Sequence, residues 1–183
     1  LRNDVLLSDI RVAIIGQAAF GERVLNSLVT RGETVVAVLC PPDKTGSPID
    51  PIKDTANRHG IAVYQFQRLR DQKAIDAFVD LNIDLCIMAY VTDIVPSSIL
   101  RAPTHGTIQY HPSLLPKHRG PSSINWPIIL GEPTTGLTIF GPDEGLDTGP
   151  ILLQKTAVID PDDTVGSLYF NKLSPMGVDA IIQ

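Results

Sequence analysis

His111 closes a short apolar run, GTIQYH (106–111), and is followed by PSLLPKHRGP. A histidine at a strand end, backed by a proline-stiffened loop, is held rigidly. Its imidazole can exchange a proton near neutral pH or, when protonated, stabilise a developing oxyanion. A strand-end histidine that only hydrogen-bonds a neighbour fits the same residues. Lys117, His118 and Arg119 form a small basic edge, suited to an anionic ligand or to plain solvation. Downstream, DEGLDTG (143–149) sets Asp143, Glu144 and Asp147 in a loop whose glycines imply a tight turn. A carboxylate beside an imidazole fixes its tautomer and favours its charged form. An ordinary acidic turn or a weak cation site is the other reading, and the EF-hand pattern is absent. Ser113, His111 and Asp147 do not read as a triad, because no nucleophile elbow surrounds the serine.

A second group of residues follows the run RVAII (11–15). The turn Gly16-Gln17-Ala18-Ala19-Phe20-Gly21 joins a strand to a helix, and a helix N-terminus offers free N–H groups to a phosphate. It has neither GxGxxG nor a Walker lysine, so a plain tight turn fits equally. His105, His111 and His118 have no metal-ligand spacing, and no metal is expected. Cys40 and Cys86 lie in the apolar runs VVAVLC and IDLCIMA and read as buried strand cysteines. They offer no disulfide framework and no Cys-rich zinc site, and they fit a reducing cytoplasm.

The elements that must position these groups alternate in the first half. Strands are expected at 11–15, 34–39 and 61–64 and in IDLCIMA (83–89), with helices over 22–30, 51–59 and 71–81 between them. Near-continuous apolar runs separated by helices imply a doubly wound α/β unit, a mostly parallel sheet covered on both faces. The second half changes character. Strands are expected at 106–111, 135–140 and 151–159, a helix over 122–130, and a final helical stretch over 163–183 with a kink at Pro175. Ligands of open α/β sheets bind beyond the carboxyl ends of the strands, which singles out 16–21, 111–121 and 141–149.

The chain has 183 residues, 43% apolar, 19% charged and 5% aromatic, which fits one folded domain and excludes a disordered chain. A net charge of −5 argues against a surface that coats nucleic acid. No apolar run approaches the roughly 20 residues that span a bilayer. The N-terminus, LRNDVLLSDI, has no cleavable apolar region and no initiator Met; the apolar segment GVDAIIQ at the C-terminus reads as possible truncation.

Taken in order, IGQAAFG, PPDKTG, APTHGTIQYHPSLLPKHRG, INW and DEGLDTG resemble the folate-dependent formyltransferase family. The resemblance covers nearly the whole chain from Arg11 onward, and HPSLLP (111–116) and GLDTG (145–149) are its most specific pieces. It is closest to the hydrolase domain of 10-formyltetrahydrofolate dehydrogenase and extends to methionyl-tRNA formyltransferase. The resemblance implies a Rossmann-like sheet whose C-terminal rim holds 10-formyltetrahydrofolate as formyl donor. It assigns catalysis to His111, Asp147 and Gln109, the last standing where the family carries Asn. Pro150 is a second departure, since relatives carry Asp after GLDTG.

By the same resemblance the pterin sits against the backbone of Met88, Ala89, Tyr90 and Val91 and of Phe140, Gly141, Pro142, Asp143 and Glu144. Gly16, Gln17, Ala18, Ala19, Phe20 and Gly21, with Ser113 and Arg119, face the acceptor or a phosphate on it. An amine acceptor gives a formyltransferase; water gives a hydrolase that releases formate and tetrahydrofolate. The dehydrogenase and tRNA types carry a further C-terminal domain, so neither a tRNA partner nor NADP-dependent oxidation is expected of these residues. A cytoplasmic enzyme without a membrane partner is expected. A sugar-amine formyltransferase, a non-catalytic folate binder and an unrelated nucleotide-binding α/β protein are the alternatives, the last disfavoured by the missing Rossmann fingerprint.

Overall fold

Residues 10–183 are described by the computed structural model, and LRNDVLLSD (1–9), read above as carrying no leader, lies outside them. The strand order is β3-β2-β1-β4-β5-β6-β7 in a seven-stranded, mostly parallel sheet. The chain divides into two compact units, Leu1–Thr107 and Ile108–Gln183.

In the first unit the strands are β1 (Arg11–Gly16), β2 (Thr34–Cys40), β3 (Ala62–Gln65) and β4 (Leu85–Ala89). β1 pairs with β2 and β4, and β2 with β3, all in parallel. Their carboxyl ends, Gly16, Cys40, Gln65 and Ala89, therefore share one edge. β1 is buried from Val12 to Gly16 because helices cover both of its faces. Ala13 and Ile15 join a core with Leu39, Cys86 and Met88, closed by Phe78 of α3 (Gln72–Asp80) and Ile99 of α4 (Ser97–Leu100). Val12 and Ile14 turn to the other face, where α1 (Ala18–Thr30) and α2 (Pro51–Arg58) pack on each other. α1 starts four residues before the expected Glu22, and α4 is too short to leave a periodic signal.

The second unit is antiparallel. β5 (Thr107–His111) pairs with β6 (Thr134–Phe140), and β6 with β7 (Ile151–Val158). The short loop between β6 and β7 cannot make the crossover of a dozen or more residues that parallel pairing needs. The helix expected over 122–130 is shorter, α5 (Asn125–Ile129), because Ser122 turns at φ +63°. The final stretch is α6 (Val165–Ser167), a π-helical segment (Leu168–Leu173) and α7 (Ser174–Ile182). The wider turn falls just before Pro175, which has no N–H to give to a regular helix. Tyr110 donates to the Leu173 carbonyl at 3.3 Å beneath this helix.

Candidate active site

Alternation along β5 points Gln109 and His111 to one face and Tyr110 to the other. In the antiparallel register Gln109 stands opposite Phe140, and His111 opposite Thr138. His111 is buried at 5% exposure. Its Nδ1 lies 3.4 Å from Asp147 Oδ2, and its Nε2 lies 2.9 Å from the His118 carbonyl oxygen. A carbonyl and a carboxylate only accept, so the doubly protonated ring satisfies both contacts. Asp147 Oδ2 also accepts from the Gly120 N–H at 2.7 Å. Both N–H groups of that ring are engaged, so what the pair can offer an anionic intermediate is a fixed positive charge in a nearly dry place.

The loop after His111 is shaped from below. Thr138 Oγ1 donates to the Ser113 carbonyl at 2.7 Å and accepts from Leu115 N at 3.0 Å. Gln154 Nε2 reaches both Thr138 Oγ1 and the Leu115 carbonyl at 2.9 Å. Ser113, expected to contact substrate, is instead fully buried and donates to the Lys117 carbonyl at 2.6 Å. Its place is in the scaffold, because a hydroxyl in this interior must be paired. The basic edge is also divided: Lys117 and Arg119 are exposed, whereas His118 is half-buried and bonds Glu132 Oε1 through Nε2 at 3.0 Å. Thr138, Gln154 and Glu132 drew no notice in the sequence.

The acidic loop is tight for a steric reason. A Cβ at Gly149 would collide with the Gly141 carbonyl oxygen. Asp143 Oδ1 accepts from Thr148 Oγ1 at 2.6 Å and Gly145 N at 2.9 Å. These bonds, Thr148 first, hold the Asp143 carboxyl below its usual range, with Arg119 adding a smaller pull. Gly141 N donates to the Pro150 carbonyl at 2.9 Å, a contact that proline at 150 leaves intact. The Phe140 side chain is in the core; Asp143 and Glu144 are exposed.

In the first unit, Gly16 packs on the Ala89 carbonyl with no room for a Cβ, and Gln17 N donates to that carbonyl at 3.3 Å. Ala18, at φ +57°, donates to both Asp50 oxygens at 2.9 and 3.1 Å. Asp50 Oδ1 also caps α2 by accepting from Ile52 N at 3.1 Å. The first amide of α1, within the turn expected to hold a phosphate, is thus already met by an internal carboxylate. The Met88 and Ala89 side chains are buried, Val91 packs on the core, and Tyr90 is exposed at φ +65°. A groove of about 360 Å³ lies at this strand edge, lined by Gly16, Cys40, Lys44, Phe66, Tyr90 and Asp93 among others. Burial pushes the Cys40 thiol up to about 11 and that of Cys86 to about 12, so neither is a ready nucleophile. Among the described residues no group of His, Cys, Asp and Glu could hold a metal ion, and no helix is long and apolar enough to cross a membrane.

The sequence pattern of the formyl transferase family matches residues 9–183. The chain is 40% identical over 179 residues to mitochondrial 10-formyltetrahydrofolate dehydrogenase of Mus musculus, covering 95% of this chain and 19% of that one. It is 37% identical to methionyl-tRNA formyltransferase of Geobacter metallireducens, covering 96% of this chain and 58% of the relative. The chain therefore spans about a fifth of the dehydrogenase's length. Among solved structures, phosphoribosylglycinamide formyltransferase from Bacillus halodurans superposes with a TM-score of 0.79 at 25% identity, over 92% of this chain and 90% of that one.

Proposed function

The chain belongs to the formyl transferase family, and from that membership we propose that it is a one-carbon transfer enzyme, which takes the formyl group of 10-formyltetrahydrofolate and passes it to water or to an amine. The observation that carries this reading is the His111–Asp147 pair, 3.4 Å apart and nearly sealed from solvent. Gln109 projects from the same face of β5.

In the proposed reaction the nucleophile adds to the formyl carbon on N10, and the carbonyl oxygen takes up negative charge. The protonated His111 ring, balanced by Asp147, stabilises that oxyanion through its charge, and the Gln109 carboxamide donates the hydrogen bond. One such donor is worth roughly 10²–10³ in rate. The C–N10 bond then breaks. The nucleophile gives up a proton and N10 gains one, by way of a water held by Asp147. Water as nucleophile yields formate and tetrahydrofolate; an amine yields a formamide and tetrahydrofolate. The Phe140–Glu144 backbone is read as a folate contact and exposed Arg119 as an acceptor contact. A reducing compartment, the cytoplasm, belongs to the same reading, supported by two cysteines that are free and buried.

The test mixes the purified protein with 10-formyltetrahydrofolate and no acceptor, and follows formate and tetrahydrofolate. Release that disappears in His111→Ala supports a water nucleophile at this site. Binding without release supports transfer to an amine, to be found by screening amines. A protein that does not bind the folate overturns the reading.

A further inference from the structure

The sequence gives His118 no part beyond a basic edge, yet its carbonyl is the second contact of the His111 ring, at 2.9 Å from Nε2. That carbonyl faces His111 while residue 118 is in the left-handed region, φ +53°, an unfavourable state for a residue with a Cβ. Something must hold it there. The His118 ring is clamped by Glu132, whose Oε1 accepts from Nε2 at 3.0 Å, and both side chains are largely buried, at 13% and 25% exposure. Glu132 is itself fixed, since its N–H donates to the Pro127 carbonyl at 2.8 Å at the end of α5. Lys117 reaches its other oxygen only at 4.0 Å.

We propose that Glu132 and His118 are positioning residues for His111: the carboxylate clamps the His118 ring, the clamp keeps the backbone left-handed, and the His118 carbonyl thereby fixes the catalytic imidazole from the side opposite Asp147. The backbone of residue 118 acts and its ring does no chemistry. The inference deepens the proposed formyl transfer and rests on it.

Four variants of the full chain separate the possibilities. Glu132→Ala removes the clamp, and Glu132→Gln keeps an acceptor for His118. His118→Val disfavours the left-handed backbone, and His118→Asn tolerates it without an imidazole. Formate release from 10-formyltetrahydrofolate gives kcat and KM; the proton resonance of His111 Nε2–H reports the carbonyl contact directly. Glu132→Ala and His118→Val are expected to lower kcat roughly tenfold to a hundredfold with little change in KM, and to lose or shift that resonance. Glu132→Gln and His118→Asn are expected to retain most of both. Unchanged kcat and resonance in Glu132→Ala overturn the proposal, as does a His118→Asn variant whose kcat falls as far as that of His118→Val while the His111 resonance stays in place, which would make the ring itself catalytic. If the wild-type protein does not turn over the folate, the formyl-transfer reading fails, whereas the resonance across the four variants still decides whether the clamp sets His111.

Discussion

Asp147 Oδ2 accepts from the Gly120 N–H at 2.7 Å, so the carboxylate that faces His111 is also tied to the far end of the loop that His111 begins. One oxygen thus joins 111–120 to 141–149. A change at Asp147 acts on charge and on loop closure together, and a useful variant must separate them.

Asp147→Asn does so, because an amide oxygen still accepts from Gly120 while the negative charge is gone. Without that charge the His111 ring loses the partner that balances its protonated form. The expected outcome is a fall in formate release of roughly 10²–10³ with the fold intact. Steady-state kinetics beside a thermal melt checks it; full turnover would remove Asp147 from the proposed chemistry.

Thr138 is a stability prediction at the same place. Its hydroxyl has the Ser113 carbonyl, Leu115 N and Gln154 Nε2 as partners, all beneath the HPSLLP loop. Thr138→Val keeps the shape and leaves buried polar groups unpaired, a loss of about 1–3 kcal/mol. Thr138→Ser retains the hydroxyl and should lose less. Urea unfolding of the two variants measures the difference.

These two sites show what the sequence could and could not make legible. Val12–Ile15 and Cys86–Ala89 were readable as buried strands because a strand covered on both faces must be apolar throughout. His111 stands out because it closes an apolar run before a proline-rich loop, whereas Asp147 is singled out from Asp143 and Glu144 only by the family resemblance. Thr138–Gln154, His118–Glu132 and Ala18–Asp50 join residues 16, 14 and 32 positions apart, and no local pattern announces such pairs. The early start of α1 has the same origin, since its cap comes from Asp50 and not from a neighbour. Resemblance alone places Ser113 at the acceptor, and its burial and its bond to the Lys117 carbonyl are features of the folded loop that no local pattern announces.

Asp50 also bears on the expectation that the 16–21 turn holds a phosphate. Its carboxylate meets Ala18 N and Ile52 N, and so neutralises the positive ends of two helices at once. A second anion there would face a like charge. Inorganic phosphate is expected to leave the Ala18 amide resonance of the wild-type protein unmoved. Asp50→Asn, which preserves the α2 cap, should admit phosphate roughly tenfold more readily. Saturable phosphate shifts at Ala18 in the wild-type protein would contradict this.

The acid limb of stability should be set in part by Asp163. Lys172 Nζ lies 2.6 Å from its Oδ2, and this bond, followed by those from Ser167 and Asp160 N, holds the carboxyl down at about 2 against an ordinary 3.8. A carboxyl depressed in the folded state binds protons less readily there than in the unfolded chain. Its stabilisation is therefore fully present above the unfolded value and is lost as pH falls through the folded one. The window runs from about 4 down to about 2. Asp163→Asn removes this contribution, so wild type and variant should differ most at neutral pH and converge toward pH 2. Lys172 is raised by Asp160 first and Asp163 second, so its own share is present at neutral pH and is lost only as pH rises through its raised folded value. Denaturant unfolding of wild type and Asp163→Asn across the acid range checks both the sign and the window, and a gap that widens on acidification would refute the assignment.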